Sequence, residues 1–525
     1  MSHIYRGGAS RFDRRRFLTG GASLVGLPCL GFISGCGVGE PRFGKNPFTL
    51  GVASGDPRPD GVVLWTRLAP DPLNGGGLPP DQAYEVHWRI ASDSNMLQQV
   101  QSGTAMASPE LGHSVHVEVE GLQPGRWYWY EFRAGSEQSQ RGRTRTADAA
   151  DVRLERLRFA FASCQHYETG YFSALRHLAA EDLEVVFHLG DYIYEGGPSA
   201  DERPRKHNGP EIMTLDDYRN RYALYKSDED LQAAHAAFPW IVTWDDHEFD
   251  NNYASDVPEE SGPMEHDAFL RRRTAAYQAY YETMPLRRSA MPDGPNMKLY
   301  RRLAFGDLAQ FDVLDTRQYR TDQPCGDGNK TLCDEVFDPK ATMLGEAQER
   351  WLFDGLGKSC ARWKVLPQQV MLAPLDRVAG PEKIYSMDKW MAYPASLSRF
   401  LSFLKEGSIQ NTVVLTGDIH TNWVCDLPED LNDPGSAPVA TEFVGTSIAS
   451  GGNGADTRED TGKVLAENPF VKFFNGQRGY VNCALTHEVF QADYRVMDFV
   501  DKPGGAISTR ASFAIENGRA GAVKA

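Results

Sequence analysis

Short runs of alternating apolar and polar residues fill the chain from residue 47 to about residue 148. Val62–Thr66, Tyr84–Trp88, Ser114–Val119 and Trp127–Phe132 are rich in β-branched and aromatic residues, and most keep a period of two. That period sends successive side chains to opposite faces of a sheet, so each run predicts a half-buried strand. Turn material such as Asn74–Gly77 and Gly121–Gly125 separates the runs. The spacing predicts a small β-sandwich of the immunoglobulin or fibronectin kind. A charged linker, about Asp148–Arg156, ends the alternation.

Beyond the linker the pattern changes. Leu157–Ala162 and Val185–Leu189 are apolar-rich runs on either side of a helix-like stretch, Tyr171–Ala180. A strand–helix–strand unit of this kind returns parallel. Further strands are expected at Ala309–Leu314, Trp363–Leu372 and Thr412–Leu415, with a closing pair within Arg495–Ile515. Helices are expected at Glu265–Tyr281, Glu346–Asp354 and Ser396–Leu404. On the first of these, Arg271, Arg272 and Arg273 are expected to form a solvated basic face. The second region is therefore α/β.

At 525 residues the chain is long for one domain. The expected division is 37–150 for the β-sandwich and 151–525 for the α/β domain, behind an export signal over 1–36. The net charge of −16 argues against a broad basic nucleic-acid surface. It leaves room for an anionic substrate, because bound cations can dominate the local charge. Arg14, Arg15, Arg16, Phe17 and Leu18 fit the twin-arginine pattern, and a Gly-rich, modestly apolar stretch interrupted by Pro28 follows. Such a segment is an address for the twin-arginine export machinery rather than a retained spanning helix. Ile33–Cys36 resembles a bacterial lipobox, with Cys36 carrying the membrane lipid; simple cleavage is the alternative. The destination is then periplasmic or extracellular and oxidising, so Cys325 and Cys333, which bracket a polar loop, are expected to form a disulfide. Cys360, Cys425 and Cys483 are expected to be buried as small apolar groups.

The candidate chemistry sits where β-runs stop. Cys164 and Gln165 follow Leu157–Ala162, and Asp191 and Tyr194 follow Val185–Leu189. Asp245, Asp246 and His247 follow Ile241–Trp244, and Asp418 and His420 follow the run beginning at Thr412. Ligand sites in α/β sheets form beyond the carboxyl ends of the strands. Asp191 and Tyr194, three apart in a tight turn, can face one ion. Asp418 and His420 straddle Ile419, so alternation sends both to one side. Adjacent Asp245 and Asp246 repel unless a cation or a surface position relieves them, and either one can turn inward. At the head of such a sheet Cys164 is better placed as a thiolate ligand than as an inert thiol. Four rims with oxygen, imidazole and thiolate donors predict a centre of two or more metal ions.

Taken in order, these strings resemble the calcineurin-like metallophosphoesterase superfamily, and within it the PhoD family of alkaline phosphatases and phosphodiesterases. The resemblance spans nearly the whole mature chain. Gly51–Pro57 and Leu64–Arg67 are similar to the start of that family's amino-terminal β-domain. Leu314–Arg320, Gln368–Val370 and Glu442–Ser447 are similar to further stretches. The superfamily's usual Asp-x-His is here Ser163-Cys164-Gln165, its Gly-Asn-His-Glu/Asp is Asp245-Asp246-His247-Glu248, and its Gly-His-x-His is Gly417-Asp418-Ile419-His420. Added oxygen donors favour calcium over zinc, and phenolate with thiolate favours ferric iron; the resemblance implies the same pair, Fe3+ and Ca2+. It implies iron on Cys164, Asp191, Tyr194 and His420. Calcium would sit on Asp191, Asp246 and Asp418, with Asp191 bridging and Asp245 the alternative to Asp246. The implied fold is a β-sandwich core flanked by helices, preceded by the small all-β domain.

The implied activity is hydrolysis of a phosphate mono- or diester, with hydroxide on the cations attacking phosphorus in line with the leaving alkoxide. His247 would bond the phosphate or protonate the leaving oxygen. Asn251 and Asn252 would orient phosphate or complete the calcium shell. Arg317 is a weaker candidate for an outer phosphate contact, a surface ion pair being its more frequent role. The alternatives are a phospholipase D-like hydrolase of lipid head groups and a non-catalytic surface lipoprotein.

Overall fold

The structure, a computed structural model, describes residues 41–259 and 264–525. The expected signal and lipobox, with Cys29 and Cys36, lie outside the described residues. None of the described helices is long and apolar enough to cross a membrane.

Two large sheets face each other. The ten-stranded sheet is built around the parallel strands Leu157–Ala162, Val185–His188 and Pro239–Val242, and the seven-stranded sheet around Ala309–Val313, Trp363–Gln368, Thr412–Thr416 and Pro438–Val444. Alternation decides what each strand contributes. Leu157, Phe159 and Phe161 point into the space between the sheets, where Phe187, Phe311, Val365, Val413 and Phe443 join them. The intervening Ala160 and Ala162 point the other way. With Val186 and Trp240 they pack beneath the helices Ser173–Ala179, Leu215–Lys226, Glu229–Ala237 and His266–Thr283. On the outer face of the second sheet, Leu366 and Val414 pack beneath Gly345–Lys358 and Pro394–Glu406. The result is a helix–sheet–sheet–helix sandwich, the flanked β-core expected above.

The amino-terminal region is all-β, as the alternation implied. Its strands divide between two sheets. Tyr84–Ala91, Gln99–Ala107 and Trp127–Ala134 belong to a separate five-stranded sheet, whereas Val52–Arg58, Gly61–Arg67 and Ser114–Val119 extend the ten-stranded sheet. Ser54 and Gly55 pair in parallel with Pro239 and Trp240. A shared core of Val62, Leu64, Val86, Ile90, Val117 and Tyr130 closes this smaller sandwich.

Two expectations are corrected. Arg272 and Arg273 are buried, and of the basic triplet Arg271 alone is exposed. Arg272 turns inward because it neutralises Asp250, at 2.7 Å, and Glu211, at 3.0 Å; Arg273 donates to the Ser255 carbonyl. Cys360 is exposed, since it lies in the turn after Gly345–Lys358. Cys425 and Cys483 are buried, and Cys325 and Cys333 are disulfide-bonded.

Candidate metal centre

The parallel strands of both sheets end at one cleft. A bridge between Ser163 and Ser447 links the rim of the first sheet to the segment after Pro438–Val444. Gly190 permits the closest approach. It has φ +109°, and a Cβ there would stand 2.4 Å from the Cβ of Asp245. Gly417 plays a similar part, since its Cβ would stand 2.7 Å from Ser163 Oγ.

Four rim residues are left-handed without being glycine: Cys164 at φ +58°, Asp191 at +55°, Asp418 at +63° and His420 at +58°. Each such residue costs on the order of 1 kcal/mol, and strain of this kind collects at functional sites. The sharp turns aim the side chains inward. Donor atoms of Cys164, Asp191 and His420 lie within 4.8 Å of one another; so do those of Asp191, Asp246 and His247, and those of Asp245, Asp246 and Asp418. Asp191 is common to the first two groups and Asp246 to the last two. Both neighbours, Asp245 and Asp246, therefore face the cleft. Tyr194 joins the first group: its Oη is 2.8 Å from Asp191 Oδ2 and 3.1 Å from His420 Nε2.

These donors suit metal ions. Asp191 Oδ1 and Asp245 Oδ2 are buried with no hydrogen-bond partner, an expensive state for a carboxylate oxygen unless a cation meets it. Burial and the adjacent carboxylates hold the Cys164 thiol and the Tyr194 phenol well above their usual ranges. Positive charge among the groups reverses that balance and favours thiolate and phenolate. Thiol, phenol and imidazole gather at one end of the cleft and carboxylates at the other, so the two ends differ in softness.

Arg317 is fully buried, which corrects the expectation of a surface ion pair. Its guanidinium donates to Asp245, to Asp388 Oδ1 at 2.7 Å and to Asp418 Oδ1 at 3.2 Å. Lys389 pairs with Asp418 and Asp388. The role arises because Asp245, Asp388 and Asp418, from three distant segments, meet around one cation. His247 stacks on Tyr194 with ring centroids 4.2 Å apart, and its Nδ1 is 2.7 Å from Glu195 Oε2. Burial opposes a charge on His247, yet Glu195, Asp246 and Asp191 together hold its proton well above the usual histidine range. Asn251 and Asn252 flank the same loop. Their side-chain amides donate to Glu259 at 3.0 Å and Asp327 at 2.6 Å.

Several residues to which the sequence assigns no role support the centre. Glu248 accepts from the backbone N–H groups of Asp191, Tyr192 and Asp245, tying two rims together. Ser450 Oγ donates to the Cys164 carbonyl at 2.8 Å and lies 2.7 Å from Tyr194 Oη. Gln369 accepts from Thr316 and donates to Thr243, while Glu442 accepts from the N–H groups of Leu372 and Ala373. Glu248 and Glu195 had one available signal, an acid beside a candidate ligand; Ser450 had none.

A family profile described as PhoD-like phosphatase matches residues 159–494, and one for that family's N-terminal domain matches residues 35–148. The chain is 54% identical over 520 residues to "Alkaline phosphatase D" of Bacillus subtilis (strain 168), a match covering 97% of this chain and 88% of that protein. A solved structure described as "Structure of PhoD" superposes with a TM-score of 0.90 at 55% identity, over 92% of this chain and 93% of that one. The chain belongs to the PhoD-like phosphatase family and is an enzyme of phosphate-ester hydrolysis.

Proposed function

We propose that this is an exported, metal-dependent alkaline phosphatase or phosphodiesterase whose centre holds ferric iron beside calcium. One observation carries the reading: of the three donor groups, the first two share Asp191 and the last two share Asp246, so adjacent cations would be joined through a common carboxylate, Asp191. Iron would be held by Cys164, Asp191, Tyr194 and His420. Calcium would be held by Asp191, Asp246 and Asp418, with Asp245 beside them. The bound cations would supply charge neutralisation at the phosphoryl oxygens and an acidified water as nucleophile.

The chain's own groups do the rest. His247, whose Nδ1 lies 2.7 Å from Glu195 Oε2 and whose ring rests on Tyr194, would serve as a donor to a phosphate oxygen or to the leaving alkoxide. Asn251 and Asn252, on the same loop, would orient phosphate or complete the calcium shell, and the Asn252 backbone N–H fixes Asp246 by donating to Oδ2 at 2.9 Å. Arg317 and Lys389 fix Asp418, and Glu248 fixes the Asp191 turn. Export by the twin-arginine route, and a lipid on Cys36, rest on the amino-terminal sequence.

The test is elemental analysis and a visible spectrum of native protein, with turnover of a nitrophenyl phosphate monoester, a bis-ester and a phospholipid. Iron with calcium, a visible charge-transfer band and turnover of the small esters are expected. Zinc alone would overturn the ion assignment. Cleavage of the phospholipid alone would replace the reading with a phospholipase D-like one.

A further inference from the structure

The Cys325–Cys333 disulfide closes a polar loop that is separate in sequence from all four rim segments. Two links nevertheless tie it to the centre. On one side, Asp327 Oδ2 accepts from Asn252 Nδ2 over 2.6 Å. Asn252 is held at φ +50°, a conformation that a residue with a side chain keeps only when its surroundings enforce it. In that conformation its N–H reaches Asp246 Oδ2 at 2.9 Å. Its carbonyl accepts from Arg320 Nη2 at 2.7 Å and from Gln323 Nε2.

On the other side, Asn329 and Lys330 pair antiparallel with Ser386 and Tyr385. The Met387 N–H donates to the Gly328 carbonyl at 2.8 Å. The next residues are Asp388 and Lys389, which bind Arg317 and Asp418 respectively. One short loop therefore reaches Asp246 through Asn252 and Asp418 through Lys389.

Apolar burial does little to hold this loop, since Val336 is the one buried residue between Cys325 and Lys340. A segment so anchored opens at low cost unless it is cross-linked. The hydrogen bond from Asn252 to the Asp327 carboxylate is charge-assisted, which makes it the stronger kind.

We propose that the disulfide-closed loop is a brace for the centre and that Asp327 is a positioning residue, holding Asn252 and through it Asp246. The inference rests on the proposed role of Asp246 and Asn252 in phosphate-ester hydrolysis.

The test compares full-length, metal-loaded Asp327→Ala, Asp327→Asn and a Cys325→Ser/Cys333→Ser double variant with the parent. The double variant replaces chemical reduction, which would also act on ferric iron. Asp327→Ala is expected to speed amide exchange over residues 249–254 and to lower kcat, each by about tenfold, with a smaller change in KM. Asp327→Asn keeps an acceptor oxygen and is expected to restore both to within about threefold. The double variant is expected to move exchange and kcat in the same direction as Asp327→Ala. Unchanged exchange in Asp327→Ala, or equal impairment in Asp327→Asn, would overturn the proposal. Exchange is measured whatever the centre catalyses. A parent inactive on phosphate esters would thus defeat the functional reading and leave the brace to be judged on exchange.

Discussion

Arg317 Nη2 donates to Asp418 Oδ1 over 3.2 Å beneath the rim, and the same guanidinium reaches Asp245 and Asp388. Replacing it by Met would leave buried Asp245 without a counter-charge, and leave Asp388 and Asp418 to Lys389 and Arg320. Loss of one partner from such a network costs about 3–5 kcal/mol. Metal-free Arg317→Met should unfold at lower urea by that margin, and added calcium should raise its midpoint more than the parent's, because bound cation replaces the missing charge. Equal midpoints for the metal-free proteins would show that Arg317 is not what offsets the acid cluster.

Gly190 has no room for a side chain. Its φ is +109°, and an added Cβ would meet the Asp245 backbone nitrogen at 2.4 Å. Gly190→Ala should cost at least about 2 kcal/mol and lower the metal content, because the Asp191 turn and the Asp245 loop must separate. Gly196→Ala is the control, since a Cβ added there would meet nothing within 4 Å; it should stay within about 0.5 kcal/mol of the parent.

The elements carrying the chemistry were legible because their apolar runs are local signals. Leu157–Ala162 forms as expected, and the Val185 and Thr412 strands end within a residue of expectation. The donors after them converge because parallel strands bring their carboxyl ends to one edge. What pairs across the chain was not legible. Ser54 lies beside Pro239 through a contact with no local signature. Arg317 and Arg272 looked like surface residues because a charged side chain is rarely buried, and nothing nearby in sequence announces distant acids that would keep it inside. Ser450 carries no signal of its own, being one hydroxyl in an ordinary loop.

Tyr194 Oη is 2.8 Å from Asp191 and 2.7 Å from Ser450 Oγ. Tyr194→Phe keeps the ring against His247 and removes only the oxygen. If a phenolate holds ferric iron, the variant loses its visible band and falls about 100-fold in kcat, while calcium content stays near the parent's. A band of unchanged position and strength in Tyr194→Phe would remove the phenolate from the scheme.

Lys226 offers a test far from the reacting atoms. Its ammonium is buried 4.1 Å from the centre of the Trp65 ring. The ring face favours the charge by up to about 2 kcal/mol. Desolvation outweighs that, and burial pulls the lysine down to about 7. Between pH 7 and the usual lysine value near 10.5, the unfolded chain then binds more protons than the folded one. Folding stability should therefore rise with pH across that window, up to about 5 kcal/mol from this residue. Below pH 7 the folded protein bears the cost of a buried ammonium. Lys226→Met should accordingly stabilise the protein at pH 6 and flatten the rise, as urea unfolding at a series of pH values would reveal. If parent and variant show parallel pH–stability curves between pH 7 and 10, Lys226 is solvated or paired, and the desolvation argument fails.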